Sequence, residues 1–185
     1  VTWNFFATGT ARCMTAFSSN AALIKSLPIK LEVLVLSAVL YTLITHVLEI
    51  ILFGAFMYWY NVAPTYILLY CIVLMLGFFF TLGAGFFLSS MYVLLRDVEQ
   101  IWSVLTRAWW FATPIFYVPT PNGPGMLLSK FNPLYYMVHL PRELLIYHRI
   151  PPMNDFIALA AFAGVACIVG YSIFIVSRSH FIERL

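Results

Sequence analysis

The sequence predicts an all-α integral membrane bundle, and three observations carry that reading. Of 185 residues, 63% are hydrophobic and only 9% charged, whereas a soluble domain carries roughly 25% charged residues. Residues 66–95 contain no charged side chain at all. Several apolar runs reach the roughly 20 residues that a helix needs to cross a hydrocarbon core. The expected count is about five crossings in this chain.

Residues 1–19 form the least apolar of these helices. Trp3, Phe5, Phe6 and Phe17 alternate with Asn4, threonines, serines and Arg12. A lipid-facing helix would not tolerate that mixture, but one that lines a polar passage or packs among other helices would. The segment "NAALIKSLPIKLE" follows at 20–32. Asn20 suits an N-cap, Leu23, Ile24 and Leu27 make a short apolar stripe, and Pro28 stops or kinks the helix. This reads as a short amphipathic segment at a membrane surface.

The second crossing is expected over 33–58, followed by the aromatic pair Trp59 and Tyr60 where an interfacial belt belongs. A short uncharged turn leads to the third, over 65–90. Gly77, Thr81, Gly85 and Ser89 recur there every fourth residue, a ridge of small side chains that permits close helix approach. Ala160 and Gly164, then Ala166 and Gly170, predict the same in the last crossing.

Charge returns abruptly in "RDVEQIW". On a helix Arg96, Glu99, Ser103, Arg107 and Trp110 share a face, so a polar stripe runs from a turn into the fourth crossing, 101–118. Trp102, Trp109, Trp110, Phe111, Phe116 and Tyr117 crowd that helix. They suit an interface belt and core, or stacking against the apolar faces of sugars. Pro114 is expected to kink it. After the turn signal "PTPNGPG", residues 126–149 are broken by prolines into runs too short to span, as suits re-entrant or interfacial helices. The last crossing is expected over 156–176, before a polar tail. Lys25 and Lys30, Arg96 and Arg107, and Arg178 and Arg184 place 20–32, 91–107 and the tail on the cytoplasmic side.

Catalytic signatures are missing. No G-x-x-x-x-G-K-[ST], H-E-x-x-H, G-x-S-x-G or C-x-x-C occurs, so the chain has no P-loop for ATP. The net charge of +3 is spread along the chain and does not suggest nucleic acid. Cys13, Cys71 and Cys167 stand apart and suggest no metal site or disulfide. "HLPRE" groups His139, Arg142 and Glu143, which fit an interfacial helix with snorkelling charges or, as a rival, an enzyme site. His46 and Glu49 lie one turn apart in mid-crossing, where ionisable groups are costly and usually face a bundle interior or wet cavity. They suit a proton or substrate contact, or a mutual hydrogen bond. An ion-coupled secondary transporter would use them, although no internal repeat is visible.

In order, the chain presents Asn20, Leu23, Ile24, Lys25 and Pro28, then Arg96 and Asp97, then Pro114, Ile115 and Tyr117, then Asn132 and Pro133 in "FNPL", and Arg142 in "RELL". This series resembles the permease subunit of ABC-2 type transporters, in the branch that exports polysaccharide, O-antigen and teichoic acid. The likeness covers nearly the whole chain. It implies a homodimer in the inner (cytoplasmic) membrane, paired with a separate ABC ATPase subunit that holds ATP and Mg. A lipid-linked glycan would be the substrate, with no cofactor on this chain. It implies ATPase coupling through Asn20, Leu23, Ile24, Lys25, Pro28, Arg96 and Asp97, and an outer re-entrant segment with Asn132, Pro133 and Arg142. Charge placement adds a substrate path along Arg12, Ser103, Arg107, Trp110 and Tyr117. Residues 1–185 would form one ABC-2 domain that lacks the family's N-terminal interfacial helix and first crossing. Ser26 and Leu27 stand where the family has a second lysine and an aromatic residue. His46 and Glu49 match no family pattern. The same fold would also suit export of a drug or small amphiphile.

Overall fold

The computed structural model describes residues 1–26, 29–60, 65–115, 117 and 124–184. Among the described residues, eight α-helices follow one another: α1 (Thr2–Ser19), α2 (Ala21–Ser26), α3 (Leu31–Trp59), α4 (Ile67–Leu94), α5 (Val98–Ala112), α6 (Pro124–Lys130), α7 (Pro133–Pro141) and α8 (Met153–Arg184). A π-helical turn, Arg142–Ile146, continues α7.

Three of these helices are long and apolar enough to cross a membrane: α3, α4 and, over Met153–Arg178, α8. The chain is thus a multi-pass membrane protein, with fewer long apolar spans than the five expected. The two that fall short do so for legible reasons. α1 is diluted by its Asn, Thr, Ser and Arg side chains. α5 has only 15 residues because Pro114 ends it rather than kinking it: the residue before a proline is driven out of the α region, and Thr113 is extended at φ −91°, ψ 131°.

The framework is the pair α4 and α8. Gly83 and Gly170 bring the two backbones together: a Cβ on Gly170 would overlap the Gly83 carbonyl, and one on Gly83 would overlap the backbone of Ala166 and Cys167. The Cys167 thiol reaches the carbonyl of Phe79 across the seam (3.0 Å). Lipid supplies no hydrophobic drive between helices, so such close van der Waals packing is what holds them.

The predicted ridge on α4 faces elsewhere. Gly77 meets Met137 of α7, Thr81 meets Gly9 of α1, and Gly85 meets Cys13 of α1. Gly164 has open space beside it, so Ala160 and Gly164 make no close helix contact within the chain. The core lies where α1, α3, α4 and α7 converge, around Phe5, Phe6, Cys13, Val35, Val39, Leu134 and Leu140.

At one end of the bundle, the Arg178 guanidinium donates to Glu32 (3.2 Å) and Phe17 stacks on Phe174. The ends of α1 and α8 and the start of α3 therefore meet, as the charge pattern requires. At the other end, Thr65 lies 3.3 Å from His148, which joins the turn before α4 to the stretch after the π-helical turn.

Candidate functional site

The segment expected to couple to an ATPase, α2, is the shortest α-helix among the described residues. Asn20 does not cap it with its side chain as expected. Its Nδ2 donates to the Ala16 carbonyl (2.8 Å) and so closes the end of α1, while its own carbonyl accepts from Ile24 N (3.0 Å) and opens α2. One residue thus makes the corner. Leu23 and Lys25 are exposed, and Ile24 packs partly against the core, leaving α2 as an outward knob. Pro28 and Leu27 lie outside the described residues. Arg96 and Asp97, both exposed, form the turn between α4 and α5.

α5 divides its residues by face. Trp102 and Trp109 turn inward: the indole of Trp102 donates to Thr10 (3.0 Å), and both rings pack edge-on against Phe6. The polar stripe turns away, with Glu99 and Arg107 exposed and Ser103 and Trp110 half-buried. Ser103 donates to the Gln100 carbonyl of its own helix (2.8 Å).

α1 runs alongside with a matching face. Asn4, Thr8 and Arg12, spaced by four, are all exposed. The Arg12 guanidinium sits 4.4 Å above the Tyr41 ring of α3. Between α1 and α5 lies a groove of ≈ 440 Å³ lined by Trp3, Asn4, Thr106, Arg107, Trp110 and Phe111. Arg107 and Trp110, singled out from sequence, thus share one groove at the level of Asn4. Arg12 stands two turns nearer the α2 end. Tyr117 is exposed and does not line the groove.

A second, smaller cleft opens between α1 and α3, lined by Asn4, Thr8, Arg12, Thr42, Thr45, His46 and Glu49. His46 is 1% exposed, with its Nε2 3.4 Å from the Tyr70 hydroxyl of α4 and its Nδ1 3.6 Å from Glu49.

The segment expected on the outer side, α7 and its π turn, is tied to the end of α5. Asn132 makes three bonds: its Oδ1 accepts from Leu134 N (3.0 Å), capping α7, and from the Trp109 indole (3.0 Å), while its Nδ2 donates to Thr113 (3.0 Å). Pro133, at the first position of α7, is preorganised for a helix start. Arg142 donates to the carbonyls of Pro114 and Ile115, groups left unpaired where α5 stops. His139 instead faces Asp155 (3.7 Å) beneath the Tyr135 ring. Of the three ionisable residues of "HLPRE", Arg142 and His139 are thus engaged with different elements. Burial holds the His139 imidazole below its ordinary value, against the upward pull of Glu143 and Asp155.

Four contacts escaped the sequence reading. The Trp102–Thr10 and Trp109–Asn132 bonds had a signal, since tryptophans seven apart share a helical face. The Glu32–Arg178 pair and Tyr70 beside His46 had none, because nothing local links residues so distant in sequence.

Comparison with known proteins agrees with this architecture. The chain is 28% identical to the O-antigen export system permease protein RfbA of Myxococcus xanthus, an alignment covering 99% of this chain and 72% of that protein. It is 26% and 27% identical to two proteins of the same name from Klebsiella pneumoniae, each covering 99% of this chain and 71% of the relative. The family model described as ABC-2 type transporter matches residues 1–146. With three apolar spans and two polar-faced helices packed into one bundle, the chain belongs to the ABC-2 type transporter family.

Proposed function

We propose that this chain is the membrane permease of an ATP-driven exporter that moves a lipid-linked polysaccharide outward across the cytoplasmic membrane. The observation that carries the reading is the polar, aromatic-flanked face of α1 and α5. Asn4, Thr8, Arg12 and Arg107 are exposed on helices held within a membrane bundle, where ionisable groups belong against water or protein rather than lipid. A second copy set against this face would enclose it as a conduit. Trp3, Trp110 and Phe111 would offer stacking faces to sugar rings, and Arg107 and Arg12 would meet phosphate. The similarity, over 99% of this chain, to permeases named for O-antigen export supports a glycan over a small amphiphile.

ATP hydrolysis is assigned to a separate ABC ATPase subunit. α2 is the part shaped to receive its motion, since it projects at the end where α1, α3 and α8 meet, with Arg96 and Asp97 in a neighbouring turn. The test is co-purification from detergent of the permease expressed with its genomic neighbours, native and with Ile24→Asp and Lys25→Asp combined. An ATPase retained by the native protein and lost from the double variant is expected. No ATPase in either sample would end the reading and turn attention to an ion-coupled mechanism at His46 and Glu49.

A further inference from the structure

The cleft between α1 and α3 is polar on nearly every side, and it holds two of the three buried side-chain atoms that lack a hydrogen-bond partner among the described residues. Glu49 Oε2 and His46 Nδ1 are both buried without a hydrogen-bond partner. At 3.6 Å they stand too far apart to bond each other, and a buried orphan polar atom is costly enough to demand a partner.

The neighbouring hydroxyls define which partner fits. Thr42 donates to the Ala38 carbonyl (2.9 Å) and Thr45 to the Tyr41 carbonyl (3.1 Å). Their hydrogens are committed, so they offer the cleft lone pairs only. Glu49 offers a carboxylate. On the far side of the His46 ring, the Tyr70 hydroxyl lies 3.4 Å from Nε2. With Tyr70 donating there, Nδ1 carries the ring proton on the Glu49 side. Arg12 also lines this space, but its guanidinium lies over Tyr41.

Asn4, Thr8 and Arg12 bring further donors to the lining, and within it Glu49 and His46 set one acceptor and one donor 3.6 Å apart. A hydroxyl group answers both, giving its hydrogen to Glu49 and accepting from His46 Nδ1. A carboxylate would meet Glu49 with like charge, and a metal cation would leave the His46 N–H unanswered. The cleft has a volume of ≈ 40 Å³, enough for one or two hydroxyl-sized groups, since a water needs about 10–15 Å³ on this measure. A sugar ring does not fit. A hydroxyl projecting from a ring outside it does, and Asn4 lines both this cleft and the α1–α5 groove.

We infer that the α1–α3 cleft is a hydroxyl-reading subsite, in which Glu49 and His46 bind a hydroxyl of the glycan passing along the adjoining groove. The inference rests on the exporter reading above. Water offers the same chemistry, and the experiment separates the two sources.

The full-length permease with its ATPase partner, in lipid nanodiscs, is titrated with mannotetraose while tryptophan fluorescence is followed. A second titration uses per-O-methylated mannotetraose, which keeps the rings and loses every O–H donor. Saturable quenching by the first probe is expected, with binding of the second at least about tenfold weaker. Glu49→Gln should weaken mannotetraose binding about tenfold or more, and Thr45→Val about threefold. Thermal midpoints near the native value in both would show that each still folds. Trp110→Ala should lower affinity for both probes. If Glu49→Gln and Thr45→Val bind like the native protein while Trp110→Ala does not, the cleft holds water only. The inference then falls and the exporter reading stands. If no saturable binding appears in the native protein, the inference falls as well, and co-purification of the ATPase judges the exporter reading separately.

Discussion

The α4–α8 seam and the α1–α3–α5 face belong to one bundle, yet they are closed in opposite ways. At the seam, Gly83 and Gly170 leave no room for a side chain and backbone rests on backbone. At the face, Asn4, Thr8, Arg12 and Arg107 point outward, and the small cleft beside them leaves two buried polar atoms unanswered. The seam has spent its bonding capacity inside the chain, and the face has kept it. That division separates what holds the bundle together from what remains to bind a second copy, a substrate or water.

The largest effect should come from breaking the seam. In Gly170→Leu, the Cβ overlaps a backbone carbonyl that no rotamer change relieves, so α8 must shift along its length. A loss of about 3 kcal/mol or more is expected, seen as a fall in monodisperse protein after detergent extraction and a lower thermal midpoint. Gly164→Leu, six residues earlier on the same helix but facing open space, should stay within about 0.5 kcal/mol of native. Equal damage from the two would mean that the seam is not where the helices are held.

On the open face, stability and activity should part company. Arg107 is exposed and lines the groove, so Arg107→Ala should leave the thermal midpoint and ATPase co-purification intact. Surface display of the exported glycan should fall about tenfold or more, the scale of losing a charged hydrogen bond. Export at the native rate would remove Arg107 from the substrate path, and a destabilised protein would place it with the framework instead.

The contrast also accounts for what could be read without coordinates. Composition and run length were enough for α3, α4 and α8, because an apolar stretch with no charge has few other fates. The polar stripe of α5 was legible from spacing, since a helical face is a local property. Partners were not. A four-residue period in α4 announces a close-packing face but cannot say that Gly85 will meet Cys13, and Gly83, which meets α8, lies off that ridge. Pro114 was rightly flagged as a disturbance and wrongly weighed. A kink needs helix beyond the proline, and here the carbonyls of Pro114 and Ile115 turn to Arg142 instead. His46 and Glu49 were visible as a costly pair. The orphaned atoms and the threonine lone pairs that give the pair its chemistry required the fold.

The outer segment lies between the two regions, and the smallest predicted effect tests which of them it follows. Asn132 and Arg142 bind it to the end of α5, on the open side. His139 and Tyr136 bind it to α8, through Asp155 and Phe162. Burial keeps His139 below its ordinary value, so the neutral ring is the form the folded state favours. Its contribution is present above the unfolded imidazole value of about 6.5. It is lost as pH falls through the lower folded value, because the unfolded chain takes up the proton first. Acidification from about pH 7.5 to about pH 5.5 should therefore lower the thermal midpoint of the native protein by more than that of His139→Gln. If the two curves run parallel, the His139 contact contributes nothing that protonation can remove. The outer segment then belongs with α5 and the open face, free to move with the conduit rather than with the seam.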